Sequence, residues 1–178
     1  MVEIIGEGGP ADRDSTNLYT RKGNRIPSVR RGQRAPSAMR AAFDFITKDH
    51  PTRRVRSLDS SYNCMGMIFA SRRSCIEPAQ FQAIAADDGY ECLPPNKMAL
   101  PGDVVVYRDE NGEVVHVGRI VDYFNIDGLA LGYRVLSQIG ADGEYIHNLD
   151  DLPQFPIKIK LPPELWTERY RNGRDILP

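Results

Sequence analysis

The stretch Leu100–Tyr123, LPGDVVVYRDENGEVVHVGRIVDY, constrains the fold more than any other part of the chain. It holds two β-rich runs, VVVY and EVVHVGRIV, joined through Asp-Glu-Asn-Gly. Asn-Gly between such runs favours the tight turns that join antiparallel strands, because both residues tolerate the left-handed backbone those turns need. A third run, GYRVLSQIG, follows a loop containing Gly128 and Gly132. EYIHNLDDLP, PIKIKLPP and a Trp-bearing segment come after it. An antiparallel meander is therefore expected over the second half of the chain.

The first half reads as helices. APSAMRAAFDFITKD places Met39, Ala42, Phe43 and Ile46 at helical spacing behind Ser37, a capping residue type, and Pro51 ends the pattern. In SSYNCMGMIFASRRSC, the caps Ser60, Ser61 and Asn63 precede Met65, Met67, Ile68, Phe69 and Ala70. That order predicts a mostly buried helix of about two turns, starting near Asn63 or Cys64. PAQFQAIAADDG predicts another, with Pro78 in its first turn and Gly89 as its stop. Helices followed by a meander define an α+β class, with N-terminal helices packed on the antiparallel sheet.

Residues 1–35 carry Gly, Pro, Arg and polar residues without sustained periodicity, and read as an extended or partly disordered leader; residues 36–178 read as the folded domain. The leader is basic. Up to Ser57 there are twelve Lys/Arg against six Asp/Glu, and beyond it eleven against eighteen. A basic leader on an acidic body is expected to dock against that body. Its arginines lack the interleaved aromatics of a nucleic-acid surface, so no nucleic-acid partner is expected. No run approaches the roughly 18 apolar residues that cross a bilayer, and none follows a basic N-terminal region. A cytoplasmic protein without a membrane partner is the expectation, with signal-independent export left open. The sequence leaves the oligomeric state open.

Three cysteines, Cys64, Cys75 and Cys92, form no CxxC pair, and His50, His116 and His147 pair closely with none of them. Neither a disulfide framework nor a zinc site is expected, and no cofactor. Cys64 is the chemically distinctive thiol. At a helix start, unpaired N–H groups and the helix dipole favour a thiolate and can hold an oxyanion. Gly66 costs the helix about 1 kcal/mol relative to Ala, a cost tolerable where the backbone is approached. His116 is the histidine placed in a strand pattern, flanked by Val115 and Val117, and is the expected base. Cys75 and Cys92 read as packing or partly exposed thiols. Arg72-Arg73 reads as neutralising the helix end, Asp150-Asp151 as a turn, and Trp166, Tyr170 and Phe155 as anchors for the last segment. His147 reads as an exposed loop histidine.

Together, YNCMGMIFAS followed by LPGDVVVYRDENGEVVHVGRIV resembles the NlpC-type branch of papain-like cysteine peptidases and the related CHAP amidases. The shared elements are Asn63-Cys64, Pro101-Gly102-Asp103 leading into Val104–Val106, and His116-Val117-Gly118. They span about residues 60–140. The resemblance implies a papain-like fold, a Cys64–His116 catalytic pair, and hydrolysis or transfer at an amide bond of a peptide or peptidoglycan-like substrate. Deamidation, acyl transfer, a toxin role and a non-catalytic binding module are the other uses of such a scaffold. The family commonly has Asp where Asn63 stands, which gives Asn63 an expected place at the substrate. A third polar residue, which orients the histidine, falls on Arg134–Gln138. Register favours Ser137, while Gln138 has the longer reach and is otherwise expected to contact substrate.

Overall fold

The computed structural model describes residues 17–48, 54–126, 130–140, 143–152 and 159–169. The strands are β1 (Leu18–Tyr19), β2 (Arg25–Ile26), β3 (Ser28–Val29), β4 (Arg54–Ser57), β5 (Cys75–Ile76), β6 (Glu91–Cys92), β7 (Val104–Asp109), β8 (Val114–Ile126), β9 (Ala130–Gln138), β10 (Glu144–Asn148) and β11 (Ile159–Thr167). The helices are α1 (Pro36–Lys48), α2 (Cys64–Phe69) and α3 (Phe81–Asp88), the last preceded by a 3₁₀ turn over Pro78–Gln80. Seven strands make one antiparallel sheet in the order β4-β10-β9-β8-β7-β11-β6. The class is α+β, with few helices.

The β7–β8 hairpin is held by the residues that announced it. The Asp109 carboxylate accepts from the N–H groups of Asn111 and Glu113, both at 2.9 Å. Gly112 takes the left-handed conformation with φ 85°, where a side chain would be strained. Val104, Val105, Val106 and Tyr107 are all buried, because both faces of the sheet are covered. A strand covered on two sides reads as a continuous apolar run rather than an alternating one.

Alternation sorts those residues into two cores. On one face Val104, Val106, Val117 and Leu136 pack with Met65, Met67 and Ile68 of α2 and with Phe81 and Ile84 of α3. On the other, Val105, Tyr107, Ile120, Tyr133 and Val135 pack with Leu93 and Ala99. Trp166 pins β11 to the first core, its ring 5.1 Å from that of Phe81. Tyr170 and Phe155, expected to do the same, lie outside the described residues. Pro162 and Pro163 fall inside β11, where the pairing with β7 shifts register between Lys160 and Glu164. Proline has no N–H to give the ladder, so the break falls there.

Helix α2 runs over six residues from Cys64, close to the two turns its apolar spacing predicts. It stops because Ser71 and Arg72 adopt left-handed backbone, with φ 49° and 65°. The Gly66 carbonyl then takes both the Ala70 and the Arg72 N–H. Arg72 is held in this turn by an ion pair with buried Glu144, which also accepts from the Tyr62 hydroxyl at 2.6 Å. Arg73 caps the helix end, donating to the Ala70 carbonyl at 3.1 Å. Helix α1 begins at Pro36, so Ser37 sits inside its first turn rather than capping it. Helix α3 ends on Gly89, left-handed at φ 78°, as expected of a glycine stop.

Leader residues 17–34 lie on the body. Leu18 and Ile26 are buried in the α2-side core, and β3 pairs with β5. Thr20 and Asn24 donate to Asp87 at 2.8 and 2.7 Å, and the Arg21 N–H donates to Asp88 at 2.7 Å.

Candidate functional site

Asn63 fixes the start of α2. Its Oδ1 accepts from the Gly66 N–H at 2.9 Å, the usual duty of an N-cap. The same oxygen accepts from the Ile76 N–H at 3.1 Å, and Nδ2 donates to the Ile76 carbonyl at 2.8 Å. The amide therefore ties the helix start to β5 through both of its ends, which an aspartate could not do. This occupies Asn63 structurally, at a position expected to face substrate.

Cys64 follows, 6 % exposed and packed in the α2-side core. Burial pushes its thiol up to about 11, against the opposing pull of the backbone N–H groups of Val117, Met65 and Cys64 itself. Cys64 and Val117 share that core, which packs the start of α2 against the HVG strand. The pairing of β8 with β9 takes in Arg119 opposite Leu136, two residues beyond Val117. Gly66 is required by packing: a Cβ there would lie 1.6 Å from the Ser74 carbonyl oxygen.

His116 takes the opposite face. It pairs with Tyr107 across the hairpin, and their ring centroids are 5.7 Å apart. Val117, its neighbour, belongs to the core that holds Cys64, while Tyr107 belongs to the other core. Sheet alternation thus aims the imidazole away from the thiol face. Burial, together with nearby His147, lowers the His116 pKa to about 3, so the ring is neutral at ordinary pH.

Ser137 and Gln138 also part company. Ser137 is fully buried on the Tyr107 face, and its hydroxyl is 2.8 Å from Nε2 of His147. His147 Nδ1 lies 2.8 Å from the Asn148 carbonyl oxygen. A carbonyl only accepts, which assigns the proton to Nδ1 and leaves Nε2 to accept from the Ser137 hydroxyl. His147 is thus a buried residue of β10, 3 % exposed, where an exposed loop histidine was expected. Its signal in the sequence was the alternation in Glu-Tyr-Ile-His, which places Tyr145 and His147 on one face.

Gln138 lies on the α2 face, fully buried, donating to the Asp59 carbonyl at 2.5 Å, while its Oε1 has no hydrogen-bond partner among the described residues. Asp103, of the PGD motif, accepts from the Leu100 N–H at 2.8 Å and from Arg169 at 2.7 Å, so it ties the turn to the end of β11. Gly118 allows the close approach of β9: a Cβ there would lie 2.4 Å from Val135 Cγ1. Cys75 is buried and Cys92 exposed. Among the described residues, no three His, Cys, Asp or Glu side chains gather as metal ligands, and no helix is long and apolar enough to cross a membrane.

The structure therefore joins the Cys64 helix to the HVG strand through Val117 and joins Ser137 to His147. It sets Cys64, Asn63 and Gln138 on one side of the sheet and His116, Ser137, His147 and Tyr107 on the other. No protein-family model matches the chain, and no curated protein and no solved structure matches it.

Proposed function

We propose that the protein is a cysteine hydrolase of papain-like, NlpC-type architecture that cleaves an amide bond of a peptide or peptidoglycan-like substrate, with Cys64 as nucleophile. The observation that carries the proposal is that Cys64, at the Asn63-capped start of α2, packs in the same core as Val117 of β8. It brings the helix-start thiol to the strand that bears His116, 52 positions away in the chain. In the reaction, the thiolate attacks the carbonyl carbon and the oxyanion takes hydrogen bonds from backbone N–H groups. His116 takes the Cys64 proton and passes it to the departing amine; it then takes a proton from the attacking water and returns it to sulfur as the acyl group leaves as a carboxylic acid. This chemistry requires the β8 backbone to rearrange locally so that position 116 faces the sulfur, because strand geometry fixes the face on which a side chain lies. It also requires the thiol to be more acidic in the substrate complex than in the free protein, where burial holds it at about 11.

A second reading, a non-catalytic binding module, is favoured by the placement of His116 beside Tyr107 in the other core. On that reading Cys64 is a packing thiol and His116 a neutral core histidine. The test is hydrolysis of a peptide library and of peptidoglycan stem fragments, followed by mass spectrometry, for wild type, Cys64→Ala and His116→Ala. Cleavage lost in both variants supports the hydrolase. Cleavage that persists in Cys64→Ala, or an inert wild type whose Cys64 is not trapped by a peptidyl electrophile, rejects it.

A further inference from the structure

Helix α1 stands outside both cores. Among the described residues, no side chain of Pro36–Lys48 belongs to either apolar cluster of the sheet, and within the helix Met39 alone is buried. Yet the helix is broadly apolar. At 100° per residue, the apolar side chains from Ala41 and Phe45 round to Met39 and Phe43 fill an arc of roughly 200°. That arc divides in two. Its Met39 side also carries Ala42, Phe43 and Ile46, all half-buried, whereas on the other side Ala41 is exposed and Phe45 is 76 % exposed. A helix of 13 residues is marginal in water by itself and draws most of its stability from a covered face. Here one covered face is small, and a second lies bare.

Charge indicates what would cover it. From Ser28 to Lys48 the chain carries Arg30, Arg31, Arg34, Arg40 and Lys48 against Asp44 alone. Arg30, Arg31, Arg40 and Lys48 are exposed, and the Arg40 guanidinium lies 5.8 Å from the centre of the Phe43 ring. Lys48 follows Phe45 by three residues, one turn along the helix. A protein groove that takes a helix grips bulky anchors on successive turns, but the turn before Phe45 offers only Ala38 and Ala41. A single aromatic ring standing proud among exposed cations suits a flat anionic surface instead. Against lipid, the ring enters the boundary between headgroups and acyl chains, and the cations meet headgroup phosphates.

We propose that α1, with the arginines leading into it, lies on membrane surfaces rich in anionic lipid and holds the protein there through Phe45. A helix lying in the interface needs no spanning run, so the absence of such a run, which set the expectation of no membrane partner, has no bearing on this contact. The inference is independent of the chemistry at Cys64.

The test is flotation of the full-length protein with vesicles of phosphatidylcholine alone and of phosphatidylcholine mixed with phosphatidylglycerol. Wild type is compared with Phe45→Asp and with the double variant Arg30→Glu/Arg31→Glu; all three positions are exposed, and thermal melts verify that each variant is folded. Wild type should float with the phosphatidylglycerol vesicles only, and less so as salt rises. Partitioning should fall on the order of tenfold in Phe45→Asp and by at least about tenfold in the arginine variant. Amide exchange over residues 36–48 should slow on those vesicles. Wild type that floats with neither vesicle would overturn the proposal. So would binding that Phe45→Asp leaves unchanged, since charge alone would then hold the protein. Self-association of the lipid-free protein that Phe45→Asp abolishes, with no flotation, would assign the bare face to a second copy of the chain and overturn it as well.

Discussion

Replacing His116 by Phe should remove a defined part of the protein's acid sensitivity. His116 is 2 % exposed, beside Tyr107 from β7 and His147 from β10. Its pKa is lowered from the ordinary 6.5 to about 3, first by burial and then by His147. A base whose pKa is depressed by folding takes its proton first in the unfolded chain. Its effect on stability is therefore nil above about pH 6.5 and grows as pH falls from there towards 3. The slope for one group is about 1.4 kcal/mol per pH unit. Between pH 6.5 and pH 5 the neutral ring thus costs the fold about 2 kcal/mol, out of the 5–15 kcal/mol typical of a domain. Phe keeps an aromatic ring beside Tyr107 and cannot titrate. Urea unfolding at pH 7.5, 6.5, 5.5 and 5.0 should show the gap between wild type and His116→Phe changing by about 2 kcal/mol in favour of the variant. His147 is present in both proteins, so it does not contribute to that change. Parallel stability curves would show that His116 is hydrated or charged in the native state, and would refute the two-face description of the sheet.

Other perturbations follow from single contacts. Gly66→Ala should destabilise by more than about 3 kcal/mol or abolish soluble expression, since the new methyl would fall 1.6 Å from the Ser74 carbonyl oxygen; a thermal melt within 2 °C of wild type would contradict that packing. Asn63→Asp should cost about 1–3 kcal/mol, because the carboxylate faces the Ile76 carbonyl that Nδ2 now serves; chemical denaturation measures it, and a neutral result would mean that the clamp to β5 is dispensable. The labelling rate of Cys64 by iodoacetamide should keep rising with pH towards about 11, whereas an early plateau near pH 7 would show a thiolate already stabilised in the free protein.

The two halves of the fold were legible to different depths. The β7–β8 hairpin could be read from Asp-Glu-Asn-Gly and its flanking valines, because turn chemistry is local and Asp109 closes the turn with its own side chain. Pro78 and Gly89 likewise bounded α3 from within the segment. What stops α2 at Phe69 was not legible. It depends on Arg72 meeting Glu144, which stands 72 positions later in sequence, and nothing near Phe69 announces it. The face taken by His116 was hidden for a related reason. Both faces of this sheet are apolar, so Val115, Val117 and the valines of β7 carry no alternation from which to read a side. His147 went astray because Gly140 and Gly143 made its surroundings look like loop, although Tyr145 and His147 share the buried face of β10. The Asn63–Cys64 pair was found from capping chemistry, but the second duty of Asn63 needed β5 in place.

The order of the strands has a consequence for how the chain assembles. The β7–β8–β9–β10 series is contiguous in sequence, so it can zip up as each strand is made. Strand β11 lies between β6 and β7, so β6 (Glu91–Cys92) joins the sheet only after Ile159–Thr167 has been synthesised. Until then the outer backbone of β7, one of the most apolar segments of the chain, is an open edge. The interval between translation of Tyr107 and arrival of Trp166 is thus when a nascent chain is most prone to pair with its neighbours. Slowing synthesis there, or truncating before Ile159, should shift the product from folded protein towards aggregate.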